Sequence, residues 1–128
     1  MKEKFLNDDH KKRFTQLISE LSMEGNLDVY WRSFLFIVAG NEQLFRNRRS
    51  VINFDGRSIE PDSIFLGSFS GGEQKLLSLA FNFYTNMDYY EDEEGNTYYI
   101  SPLDVFSNLD KDMYTLAKNA IDVRLGKY

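Results

Sequence analysis

Ser70-Gly71-Gly72-Glu73-Gln74 stands just ahead of apolar residues at helical spacing, and here residue types and spacing most invite chemistry. A glycine-rich helix start leaves N–H groups unpaired, and the helix dipole adds partial positive charge, so the segment can hold a phosphate. A serine cap followed by two small residues accounts for the same pattern without a ligand. Arg46, Arg48 and Arg49, joined across a turn by Arg57, form the dense basic patch of the chain. Guanidinium forks suit phosphate or a partner's carboxylates, and they suit a local salt-bridge network equally. Asp88, Glu91, Asp92, Glu93 and Glu94 are the acidic counterpart. Their spacing departs from the alternating calcium loop that aims oxygens at one point, so they read as a solvated acidic surface, and no metal is expected. His10 is the one histidine. In the first turn of an amphipathic helix it reads as a solvated surface residue, which leaves neither a Ser-His-Asp triad nor an imidazole-rich zinc site. The expectation is no catalytic residue and no cofactor.

The elements that must position these groups are mostly helical. Asn7 caps a helix from Asp8 to about Met23 carrying Phe14, Leu17, Ile18 and Leu21. Leu27 to Ala39 is apolar nearly all round and predicts a buried central helix, stopped by Gly40. Asn41 restarts a short helix with Leu44 and Phe45, after which Arg46 to Arg49 is expected to return the chain to solvent. Val51 to Phe54 and Arg57 to Ile59 fit a hairpin around Asp55-Gly56. A loop is expected from Glu60-Pro61 through Gly67. Ser70 then caps a long helix to Thr85. The stretch from Asn86 to Ile100 reads as a surface loop or a second hairpin. Ser101-Pro102 opens a short helix, and Asp110 caps the last one, with Met113, Leu116, Ala117, Ala120 and Ile121 inward. The fold class is therefore mainly α: a single compact domain over residues 1–128, with about five or six helices and one or two short β-hairpins.

Composition narrows the function classes. Twenty acidic against fifteen basic residues give a net charge of −5, which disfavours direct nucleic-acid or anionic-membrane binding and favours a basic protein surface as partner. With no cysteine there is no disulfide framework and no thiolate chemistry. The charged N-terminal sequence and the short apolar run from Phe34 to Ala39 predict a soluble, cytoplasmic protein. Eleven Phe and eight Tyr exceed what a small helical core needs, so some rings are expected near the surface, where Tyr favours protein contacts.

The Ser70 segment, with Leu79-Ala80 behind it, resembles the signature segment of ABC-type ATPases. That resemblance implies contact with a nucleotide's terminal phosphate, yet no GxxxxGKS/T loop exists anywhere in the chain and no apolar strand ending in Asp-Glu follows. Over nearly the whole length, Phe5-Leu6-Asn7 with His10-Lys11 and Arg13-Phe14, then Phe36 to Asn41, Ile59-Glu60-Pro61, Leu79 to Asn82, and Ser101 to Phe106 with Leu109-Asp110 resemble a domain-of-unknown-function family. Its members are small proteins of Gram-positive bacteria and their phages, and the resemblance implies no catalytic residue. The first functional expectation is a non-enzymatic protein-interaction module of phage or prophage origin, with inhibition of a host or bacterial defence protein as its candidate role. The alternative is a nucleotide- or phosphate-binding protein using the helix start from Ser70 to Glu73.

Overall fold

Asn7 turns extended backbone into helix α1 (Asp8–Glu20) by accepting the His10 N–H on its Oδ1 at 2.9 Å, with Asp8 and Asp9 in the positively polarised first turn. The computed structural model of the chain describes residues 3–127. Helix α2 (Val29–Gly40) starts two residues later than the hydrophobic pattern predicts, because Asp28 takes the Trp31 N–H at 2.9 Å. Trp31 and everything from Ser33 to Ala39 are buried, which the all-round apolar sequence demands. Gly40 ends α2 for a reason other than the expected left-handed cap. It is the last helical residue, its φ is not positive, and a Cβ there would overlap the Leu116 side chain. Close approach of the last helix, not the turn, requires the glycine.

Asn41 caps α3 (Glu42–Arg46) through the Leu44 N–H, and Arg46 to Arg49 then lies in solvent as expected, Arg48 half-buried, while the chain forms the unexpected short α4 (Arg48–Val51). Val51 at its end turns back into the core. Strands β1 (Ile52–Asn53) and β2 (Ser58–Ile59) pair antiparallel with Ile52 opposite Ile59, as the Asp55-Gly56 turn predicts. The positive φ falls on Arg57 and not on Gly56, held there by an Arg57 Nε hydrogen bond to the Leu21 carbonyl at 3.1 Å. The expected loop after Glu60 contains α5 (Pro61–Leu66): Pro61 preorganises the first turn and Ile64 is wholly buried. Helix α6 (Gly71–Thr85) follows, and Asn86 ends it in the left-handed region. Next come β3 (Tyr89–Glu91) and β4 (Thr97–Tyr99), the second hairpin, then α7 (Pro102–Ser107) and α8 (Lys111–Leu125), the last capped by Asp110 on the Met113 N–H. The six expected helices are present, joined by the short α4 and α5.

Helix α2 is the axis of the core, with α1, α6 and α8 packed around it. Its aromatic residues meet edge to face: Trp31 and Phe34 at 6.0 Å, Trp31 and Tyr84 at 4.8 Å. His10 belongs to this core, contrary to the surface position read from its place in α1. It is 0% exposed, with Phe36 at 4.5 Å and Phe5 at 5.1 Å between ring centroids. The segment before α1 lays Phe5 over that face of the helix, which a helical periodicity cannot reveal. Glu3, paired with Arg32 at 3.1 Å, and the Lys4 carbonyl, bonded by Asn119, tie the segment down.

Candidate functional site

The helix start at Ser70 is closed by its own residues. Ser70 and Glu73 form a capping box in which the Glu73 carboxylate accepts the Ser70 N–H at 3.3 Å, so negative charge already stands where an anion would approach. Gly72 is explained by packing: a Cβ there would lie 2.7 Å from Met113 Sδ and 3.3 Å from the Asn108 carbonyl. Gly71 faces open space. A cleft of about 330 Å³ beside this start is lined by Gln43, Asn47, Ser50, Ser63, Ser68 and Glu73 among others, and none of its lining residues is cationic.

The four arginines do not converge on a shared opening. Arg48 reaches back to α1 and grips Glu20 with Nε at 2.8 Å and Nη2 at 3.0 Å, while its guanidinium lies 4.2 Å over the Phe45 ring. That grip holds the Glu20 carboxyl below its usual range. Arg46 pairs with Glu42 one turn earlier at 2.7 Å, Arg49 stacks 4.8 Å over Phe54, and Arg57 is bonded to Leu21. The salt-bridge alternative describes Arg46 and Arg48; Arg49 and Arg57 are held by a ring and a backbone carbonyl.

His10 is locked as a neutral imidazole. Its Nδ1 accepts the Leu6 N–H at 3.0 Å, and its Nε2 lies 2.9 Å from the Phe36 carbonyl, which fixes Nε2 as the protonated nitrogen. Burial pushes its pKa down to about 4 against the contrary pull of the Phe36 carbonyl, and the Arg13 charge lowers it further. Both nitrogens being used inside the core, the group is a structural fastener.

Of the acidic candidates, Asp88, Glu91, Glu93 and Glu94 are exposed and Asp92 is half-buried. Asp92 closes the β3–β4 turn: its carboxylate takes the Glu94 and Asn96 N–H groups at 2.9 Å each, the Asn96 side-chain amide at 3.1 Å and the Tyr98 hydroxyl at 3.0 Å. Desolvation raises its pKa, but these bonds outweigh that effect and leave the carboxyl below its ordinary value. The Asp88 backbone carbonyl accepts the Ile100 N–H at 2.8 Å at the other end of the ladder. Strand alternation splits the four tyrosines. Tyr90 and Tyr98 face inward, Tyr90 stacked on Phe65 of α5 at 5.0 Å and at 5.9 Å from Phe81 of α6. The Tyr90 hydroxyl donates to Asp62, and that bond, with the nearby carboxylates, pushes its pKa up to about 12. Tyr89 and Tyr99 stand directly opposite each other on the outward face, 42% and 77% exposed.

Asp62, Tyr89 and Tyr99 escape sequence reasoning. The available signal was the pair of Tyr-Tyr dipeptides flanking an acidic turn, but with tyrosine on both faces the pattern cannot say which ring of each pair points outward. Between the hairpin turn and α5 lies a cleft of about 340 Å³, lined by Asp62, Leu66, Asp92, Glu93, Glu94, Asn96 and Tyr98. Among the described residues no group of three or more His, Cys, Asp or Glu is arranged to hold a metal ion, and no helix is long and apolar enough to cross a membrane.

Compared with known proteins, residues 1–128 match the model of a family described as a family of unknown function, DUF6075. No curated protein and no solved structure matches the chain.

Proposed function

We propose, for a chain that belongs to the DUF6075 family of unknown function, that it is a non-enzymatic protein-interaction module which offers the outward face of the β3–β4 hairpin to a basic surface on a partner protein. The observation that carries this reading is the opposed pair Tyr89 and Tyr99, left exposed on a hairpin whose inner face is firmly seated. Tyrosine brings large contact area at low entropic cost and is favoured at the centres of protein interfaces. The surrounding carboxylates supply attraction and orientation toward a basic surface, an effect that raises association rate and selectivity more than raw affinity. The resemblance to small proteins of Gram-positive bacteria and phages supports a host or defence-system protein as that partner, bound in the cytoplasm.

The test is capture of a stoichiometric partner from host lysate by the immobilised chain, repeated with Tyr89→Ser/Tyr99→Ser. The expected result is one basic partner, released by salt and lost with the double variant while its circular dichroism stays that of the wild type. Equal capture by both chains sinks the assignment to this face. The nucleotide alternative loses ground on geometry, since Glu73 occupies the helix start and Gly72 serves packing. Millimolar ATP is expected to leave the melting temperature unchanged, because a ligand of the native state must raise it.

A further inference from the structure

Resting on the partner-binding reading of the hairpin, we infer that β4 accepts an extended, basic segment of the partner as a third strand, with alternate side chains entering the acidic cleft beside Asp62. The backbone alternation leads there. The Ile100 N–H bonds to Asp88 and the Asp92 N–H to Asn96, so the ladder's hydrogen-bonded pairs are 88 with 100, 90 with 98, and 92 with 96. Residues between them turn their N–H and C=O groups away from the partner strand. These are Tyr89 and Glu91 on β3, and Thr97 and Tyr99 on β4, all exposed and none bonded to backbone elsewhere among the described residues. An extended chain can satisfy such an edge by strand addition.

The edge of β4 is the better of the two. The 340 Å³ cleft borders it, taking Tyr98 from β4 and no residue from β3. In an added strand, side chains alternate between the two faces. One set lies beside Thr97 and Tyr99. The other reaches toward Asp62, Asp92, Glu93 and Glu94, where Lys or Arg finds opposite charge and a long aliphatic stem finds Leu66. A second copy of this chain is a poor occupant, because edge-to-edge pairing brings two acidic hairpins together, and charge on an edge is how proteins discourage such pairing. Charge complementarity therefore selects a basic segment.

The probe is a fluorescein-labelled nonapeptide alternating arginine and valine, followed by anisotropy at low salt. Two isomers carry N-methyl groups, one on every arginine nitrogen, the other on every valine nitrogen. N-methylation removes hydrogen bonds on one edge of the peptide without changing its charge, so one isomer is expected to bind at least about tenfold more weakly and the other to stay close to the parent. Which isomer fails reads the direction of the added strand. Glu93→Lys/Glu94→Lys, both exposed and outside the turn's hydrogen bonds except for the Glu94 backbone, is expected to weaken the parent peptide by roughly tenfold or more. Isomers that bind equally well while the charge reversal still weakens binding overturn strand addition and leave the partner-binding face standing. A parent peptide that does not bind overturns strand addition as well, whatever the lysate capture returns.

Discussion

Phe34 and Tyr99 are both aromatic residues on regular elements, yet Phe34 is 0% exposed on α2 and Tyr99 is 77% exposed on β4. Around α2 the buried rings meet other rings from α1, α6 or the segment before α1. Of the polar groups that enter, His10 and Ser33 have their hydrogen bonds met inside, while Glu3 leaves one buried carboxylate oxygen without a partner among the described residues. The hairpin is built differently. Its inner rings lean on Phe65 and Phe81, its turn is tied by one carboxylate, and its outer rings, Tyr89 and Tyr99, are left 42% and 77% exposed. Stability is concentrated in the first region, and the second is where recognition is proposed, because a ring already buried against its own chain has no area left to give a partner.

The largest expected effect sharpens that contrast directly. Phe34→Ala removes a fully buried ring and should cost roughly 3–5 kcal/mol in denaturant unfolding, whereas Tyr99→Ala should stay within about 0.5 kcal/mol of the wild type. A Tyr99 variant as damaging as the Phe34 one would erase the division of labour. Next is pH. The folded-state pKa of His10 is about 4 and the unfolded value 6.5, so the unfolded chain binds the proton first as the medium acidifies. Stability is full above about pH 6.5, falls by about 3 kcal/mol on the way to pH 4, and gains no further His10-linked loss below that. Melting curves from pH 7 to pH 4 on the wild type and His10→Gln should differ in slope within that window. Glu20, whose pKa is lowered by Arg48, adds its own loss only as pH drops through the carboxylate range.

Smaller effects probe the glycines and the cap. Gly40→Ala forces a methyl into Leu116 at the α2–α8 crossing and should cost about 1–3 kcal/mol by overpacking. Ser70→Ala should lose about 1 kcal/mol and Ser70→Asp should keep it, since aspartate caps as well and suits the dipole. Smallest, and opposite in sign, Gly71→Ala should gain about 0.5 kcal/mol, its position being helical and open. Loss of stability in Gly71→Ala would mean that the helix start needs its glycines for something other than α8 packing.

Local signals carried far in this chain because most of its helices start at a nearby polar cap or a first-turn proline. Asn7, Asp28, Asn41, Asp110, Pro61 and Pro102 act on backbone groups within a turn of themselves, so helix starts follow from sequence neighbours. The first hairpin was visible in the same way, through turn residues between apolar runs, whereas the second stood in the sequence only as one of two readings, a loop or a hairpin, and the structure decides for the hairpin. The α5 helix was missed although Pro61 announced it, because six residues hold too few apolar positions to show a period and the burial of Ile64 stabilises it from outside. What no local pattern could supply was the partner of each side chain. Arg48 and Arg57 are drawn out of the basic patch only because the end of α1 brings Glu20 and the following Leu21 beside them, and His10 becomes a core residue only because Phe5 and Phe36 close over it. Sequence by itself determined the helical class, most of the caps and the acidic, tyrosine-rich character of the stretch between α6 and α7, all of which depend on residues a few positions apart. Tertiary structure alone decided which glycines pack and which stand open, which charges are spent, and which tyrosines face outward, because burial and pairing depend on segments that meet across the whole chain.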